Sequence, residues 1–164
     1  MIALGIDPGI AITGFGVVRE EHSGELVALA QGVLETPKTD ALPKRLLSLR
    51  QQLFELVQTW RPTESAVEAL FFAANAKTAM AVGQARGVIL VTLHEAGLPI
   101  HEYTPLQVKR AIAGYGQADK RQMQAMVKAL LQLRDIPKPD DAADALAIAI
   151  THIHSSRYNQ LGRE

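Results

Sequence analysis

Cysteine is missing from all 164 residues, which excludes disulfide cross-links and thiolate metal sites and fits a reducing compartment. Net charge is missing as well. Seventeen basic residues balance 17 acidic ones, so bulk electrostatics do not steer the chain to nucleic acid, and contact with a polyanion has to come from local patches. Long apolar runs are also lacking. The opening run Ile2-Ala3-Leu4-Gly5-Ile6 is cut by Asp7-Pro8-Gly9, too early for a signal peptide. The stretch 79–93 is interrupted by Gln84 and Arg86 and falls short of the roughly 20 apolar residues of a spanning helix. These absences predict a soluble, cytoplasmic protein with no membrane partner. No internal repeat or low-complexity stretch divides the chain. Its length predicts one domain over residues 1–155, followed by a C-terminal tail at 156–164.

Residues 2–7 read as a strand, apolar on both faces and therefore central. Residues 12–19 and 25–35 are further strand-like runs joined by the turn-forming Glu21-His22-Ser23-Gly24, which predicts an antiparallel meander. Leu42, Leu46, Leu49, Leu53, Leu56 and Trp60 recur at helical spacing, with Asp40 as the expected cap and Arg61-Pro62 as the stop. A short strand is expected at 64–68, a long helix at 75–96 and a strand at 99–103. A short helix should follow Thr104-Pro105, and another should bury Met123, Met126, Val127, Leu130 and Leu131. Pro137-Lys138-Pro139 separates these from a last helix running from about Asp141 to His154. The order β-β-β-α-β-α-β-α-α-α implies an α/β fold: a mixed five-stranded sheet, three antiparallel strands then two parallel, with helices on both faces.

Four carboxylates stand where such a fold would aim them at one point. Asp7 ends the central strand, where an acid is costly unless something compensates it. Glu68 ends the fourth strand, and if strands one and four pair in parallel the two acids are neighbours, beyond the carboxyl ends where α/β sites form. Asp141 and Asp144 are three apart on one face of the last helix. Acids in a first turn also answer the helix dipole, but one capping Asp would suffice for that and Asp140, Asp141 and Asp144 make three. Such a quartet can hold two Mg²⁺ ions, with Mn²⁺ as a possible substitute, and a metal pair clamped by carboxylates suits in-line attack of water on a phosphodiester. In this reading Asp7 bridges the two ions and Glu68, Asp141 and Asp144 complete their shells. The histidines do not compete as ligands. His152 and His154, two apart on a helix, point to different faces, and the other three are isolated.

The segment Gly5-Ile6-Asp7-Pro8-Gly9, with Thr13-Gly14-Phe15-Gly16-Val17 after it, resembles the RuvC-type Holliday junction endonucleases. So do Val67-Glu68, Asn75-Ala76, Gly83-Gln84-Ala85-Arg86-Gly87, Gln107-Val108-Lys109 and the run from Asp141 to Ala149. The likeness is ordered and runs end to end, which makes it specific where any one fragment would be weak. It implies a ribonuclease H-like fold, a homodimer, and metal-dependent paired nicking of four-way DNA junctions in recombination and repair, leaving 5′-phosphate and 3′-hydroxyl ends. It also implies work beside a branch-migration helicase. The family's catalytic acids fall on Asp7, Glu68, Asp141 and Asp144. The chain departs from the family pattern at Ala69, where Gln is usual, and in the less polar segment Ala73-Ala74-Asn75-Ala76-Lys77.

The resemblance further implies DNA contacts at Lys109 and Lys120, near the scissile phosphate, and at Phe71 or Phe72, which could stack on an unpaired base. Lys77, Arg86, Lys44 and Arg45 are looser candidates for backbone contacts. The small residues of the helix at 75–96, among them Ala79, Gly83 and Gly87, would serve either packing on the sheet or a dimer seam. Competing readings are a ribonuclease H acting on RNA–DNA hybrids and a non-catalytic junction-binding protein. The Asp-Pro-Gly turn also resembles the first phosphate loop of actin-like sugar kinases, but 164 residues cannot supply their second domain.

Overall fold

Five strands, β1 (Ile2–Asp7), β2 (Ile12–Glu20), β3 (Leu26–Glu35), β4 (Glu64–Glu68) and β5 (Ile100–Tyr103), form one sheet in the order β3-β2-β1-β4-β5. The computed structural model describes residues 1–69 and 76–161. β1 pairs antiparallel with β2, and β2 antiparallel with β3, whereas β1–β4 and β4–β5 are parallel. The expected mixed sheet is therefore present with its apolar strand β1 at the centre. Helices α1 (Leu42–Trp60), α2 (Ala76–Glu95), α3 (Pro105–Ala113), α4 (Lys120–Leu130) and α5 (Asp140–Leu161) complete the expected order.

Strand alternation sorts the core into two layers. Leu4, Ile6, Val17 and Val67 face Leu49, Leu53 and Val57 of α1 and Ala85, Ile89 and Leu93 of α2. Ala3, Val18 and Ala66 face the other way, toward α5, α3 and α4. Local chemistry fixes the helix starts on that second face. Thr104 and Asp119 each accept from the backbone N–H three residues on, while Gln107 and Gln122 accept from the cap N–H in return, two complete capping boxes.

Three local expectations are revised. Ala41, not Asp40, stands at the N-cap of α1, and Asp40 instead pairs with Lys44 at 2.8 Å, one turn on. Met126 is 37% exposed: the buried stripe of α4 is Met123 and Val127, continued by Leu131. α5 does not stop at His154 but runs to Leu161, and Arg157 is tied to the Glu20 carboxylate and donates to the Gly24 carbonyl at 2.6 Å. The β2–β3 turn thus holds part of the segment expected to be a tail.

α5 lies against β1 and β2 at a distance that only glycine permits. A Cβ on Gly5 would sit 2.1 Å from the Ala145 carbonyl oxygen, and one on Gly14 would sit 2.0 Å from the Asp141 carbonyl oxygen. Ala142, Ala145 and Ala149 supply the matching short side chains and are fully buried. Because these clashes are with backbone, Gly5→Ala should destabilise the protein by about 1–3 kcal/mol or more. Gly87→Ala, in α2 with nothing of its own chain within 4 Å of the new Cβ, should leave the fold of a single chain neutral or stabilised by up to roughly 1 kcal/mol. Urea midpoints of the two variants check the contrast.

Candidate active site

The parallel register pairs Ile6 with Val67, so Asp7 and Glu68 end neighbouring strands at the same edge of the sheet. Each continues the face that carries Gly5 or Ala66, and both therefore turn toward α5. Asp141 and Asp144 descend from the first turns of α5 onto the same spot, because Gly14, the cross-strand partner of Asp7, leaves room for the Asp141 backbone. The loop after Asp7 is latched by buried Thr13, whose hydroxyl donates to the Gly9 carbonyl at 2.5 Å and accepts from the Gly9 N–H at 3.3 Å.

The charges of Glu68, Asp141 and Asp144 all act on Asp7. Burial pushes the Asp7 carboxyl up to about 8, and the charges of Glu68, Asp144 and Asp141 push in the same direction. Glu68 is raised by burial and then by Asp144, and Asp144 by burial and then by Asp141 and Asp140, against the pull of Lys120. Like charges held this close oppose their own ionisation. The donor set, all hard carboxylate oxygen, fits a divalent cation such as Mg²⁺, whose charge would reverse that repulsion.

Beside the acids opens a cleft of about 250 Å³ whose lining includes Glu68, Asp144, Lys109 and Lys120. The two lysines singled out from the sequence thus meet two of the four acids. Lys120 reaches Asp140 at 2.8 Å, and Gln124 also donates to that carboxylate at 2.9 Å, which holds the N-terminus of α4 beside that of α5. Arg86, a candidate for DNA-backbone contact, is engaged within the protein. Its guanidinium pairs with Glu102 at 2.5 Å and makes a long 3.5 Å contact to the Glu68 carbonyl, so it braces the end of β4. Ala69 continues the ladder, donating to the Tyr103 carbonyl at 2.9 Å. Lys44 is taken up by Asp40, and Arg45 donates to the Thr36 hydroxyl at 3.1 Å. Phe71, Phe72 and the side chain of Lys77 lie outside the described residues.

The expectation that the remaining histidines are isolated is overturned at His101. It stacks on His152 with ring centroids 4.2 Å apart, and both rings turn Nε2 to Glu64, at the opposite end of β4 from Glu68. Sequence separation hid this group: the β4–β5 register sets His101 beside Ala66, two residues along the same face from Glu64, and α5 brings His152 from 51 residues downstream.

A raised acid pKa has a definite consequence for stability. The folded protein keeps a proton on Asp7 that the unfolded chain releases near its ordinary value of 3.8. Between that value and about 8, rising pH therefore destabilises the metal-free fold, and the loss is complete above about 8. Asp7→Asn removes this contribution. In chelator at pH 8 it should stabilise the protein by roughly 0.5–2 kcal/mol, with little effect at pH 4. Thermal melts at the two pH values test this, and a lower Tm for the variant at pH 8 would contradict it.

Comparison with known proteins agrees with this geometry. The family model described as crossover junction endodeoxyribonuclease RuvC matches residues 3–152. Among individual relatives, the RuvC of Chloroflexus aurantiacus is 55% identical over 156 residues, 95% of this chain and 94% of that protein. The RuvC of Desulfitobacterium hafniense is 52% identical over 163 residues, 99% of this chain and 98% of that one. The structure of Thermus thermophilus RuvC in complex with Holliday junction substrate superposes with a TM-score of 0.92 at 38% identity, covering 97% of this chain and 96% of that one. The fold is thus the ribonuclease H-like one implied by the sequence motifs, and the chain belongs to the RuvC family of crossover junction endodeoxyribonucleases.

Proposed function

We propose that this protein is a structure-selective endodeoxyribonuclease that resolves four-way (Holliday) DNA junctions by paired, symmetric nicks during homologous recombination and DNA repair. The observation that carries the reading is a cleft lined by two of the acids, Glu68 and Asp144, together with Lys109 and Lys120. A phosphodiester needs both halves of that arrangement: cations to receive the phosphate, and carboxylates to hold the divalent charge that neutralises it. The structure of a relative with Holliday junction substrate supports junction DNA as the ligand over an RNA–DNA hybrid.

In this reading Asp7, Glu68, Asp141 and Asp144 hold two Mg²⁺ ions per site, with Mn²⁺ as a substitute. When bound, such a pair supplies the charge that activates water and stabilises the leaving 3′ oxygen. The chain's own residues do the rest. Asp7 gives up the proton that burial and its neighbours hold on it, completing the anionic donor set. Lys120 exchanges Asp140 for the scissile phosphate, and Lys109 lines the same cleft. The Arg86–Glu102 pair keeps the end of β4, and with it Glu68, in register beneath the phosphate.

Two active sites cut strands of like polarity only if the protein is a two-fold dimer. α2 supports that assembly. Met80 and Val91 are 70% and 58% exposed, and with Gln84 and Gly87, also exposed, they fall at helical spacing on one face of α2. The resolvase would then act in the cytoplasm as one nuclease domain that includes α5 to Leu161, beside a branch-migration helicase.

Cleavage of a labelled synthetic junction, next to linear duplex and an RNA–DNA hybrid, tests the reading. Paired symmetric nicks in the junction alone, abolished by chelator, are expected with Mg²⁺ or Mn²⁺; cleavage of the hybrid instead would overturn it. Asp7→Asn should abolish nicking and leave junction binding intact. Lys120→Ala should slow nicking by roughly 10²–10³-fold with a much smaller effect on binding.

A further inference from the structure

Glu64, His101 and His152 form a group that the nuclease chemistry leaves unused. Glu64 opens β4, His101 is the second residue of β5, and His152 lies on α5. The Nε2 atoms of His152 and His101 stand 2.7 and 3.1 Å from the same Glu64 oxygen, Oε2. Ligand-capable atoms of all three side chains lie within 4.8 Å of one another. Nothing about folding requires two imidazoles to converge on one carboxylate oxygen.

We propose that these three side chains form a Zn²⁺ site, separate from the acid quartet and chemically distinct from it. Glu64 and Glu68 are four residue steps apart on β4, which sets the two centres roughly 13 Å apart along the strand. Two imidazoles and one carboxylate are the donors of zinc and its neighbours in the first transition row, whereas the all-carboxylate quartet is suited to Mg²⁺. Tetrahedral ligands at about 2.0–2.1 Å from zinc lie about 3.3 Å apart, so the separations of 2.7 and 3.1 Å need to open by about 0.6 and 0.2 Å, within the reach of side-chain rotation. The side chains of Glu64 and His101 are 28% and 43% exposed, which leaves an entry path and room for water as a fourth ligand. His152 is buried and oriented from behind: its Nδ1 lies 2.9 Å from the Tyr103 hydroxyl. With Nε2 on the metal, Nδ1–H donates to that hydroxyl oxygen, the support that metal-binding histidines need.

The consequence is structural. The three ligands come from β4, β5 and α5, so the ion clamps the open end of the parallel half of the sheet to the helix that carries Asp141 and Asp144. An ion bound only by the folded chain stabilises it by mass action.

The test uses the untagged full-length protein, stripped with chelator, and Zn²⁺ titrated against a chromophoric competitor. One tight Zn²⁺ per chain, with a rise in Tm, is expected for the unmodified protein and equally for Asp144→Asn. His101→Ala and Glu64→Gln, both at partly exposed positions, should lose the Tm response and weaken Zn²⁺ at least roughly 10-fold, and Tyr103→Phe should weaken it by roughly 10–100-fold. Co²⁺ should give the visible bands of a tetrahedral nitrogen–oxygen site in the unmodified protein and not in His101→Ala. Junction nicking in Mg²⁺ should be unchanged by His101→Ala. Zn²⁺ affinity that survives His101→Ala but falls in Asp144→Asn would place the ion in the acid quartet and overturn the proposal, as would the absence of a tight Zn²⁺ in the unmodified protein.

Discussion

The close seam between α5 and the first two strands is the constraint on which the rest depends. Gly5, Gly14 and Gly16 remove the Cβ atoms that would hold the helix off, and Ala142, Ala145 and Ala149 fill the remaining space. Interiors packed at this density deform little, so the helix position is fixed to a fraction of an ångström by backbone contacts. Two of the four acids ride on that helix and the other two on the strands beneath or beside it. The same backbone geometry therefore sets both the fold and the separations within the site.

That arrangement is held against electrostatic opposition. Asp7 is pushed far above the ordinary carboxylate range by burial and by its acidic neighbours, so the fold tolerates a group of carboxyls that would be more stable apart. A divalent cation bound among these acids would relieve that conflict, because its charge offsets the repulsion that raises their pKa values. Lys120 and Lys109 add positive charge to the lining of the cleft, and Lys120, paired with the exposed Asp140, only partly offsets the repulsion at Asp7 and Asp144. α5 is thus built with two different ends. Its first turns deliver hard oxygen donors, and eight residues beyond Asp144, at the far edge of the sheet, it presents His152 to Glu64 and His101.

The sheet order and the placing of Asp7 and Glu68 at neighbouring ends of parallel strands were legible in the sequence for physical reasons. An acid ending a doubly apolar strand is costly without compensation, and period-2 and period-3.6 patterns state which faces meet. Details that depend on tertiary contact were not legible. Asp40 has the chemistry of an N-cap but is drawn to Lys44, and Met126 has the spacing of a core residue but finds no neighbour to cover it. The length of α5 depends on Arg157 meeting the Glu20 carboxylate, a contact across 137 residues. His101 and His152 meet through the β4–β5 register and the path of α5, neither of which leaves a local trace. The engagement of Arg86 by Glu102 similarly follows from the adjacency of α2 and β5.

Gly14→Ala probes the link between seam and chemistry most directly, because its new Cβ would meet the Asp141 carbonyl oxygen at 2.0 Å while leaving every acid in the sequence. The measurement is the single-turnover nicking rate of a four-way junction at saturating Mg²⁺, on protein shown by circular dichroism to be folded at the assay temperature. A shift of Asp141 by about 1 Å should lower that rate on the order of 10²-fold without loss of junction binding. A folded Gly14→Ala protein that nicks at the unmodified rate would show that the seam does not set the site.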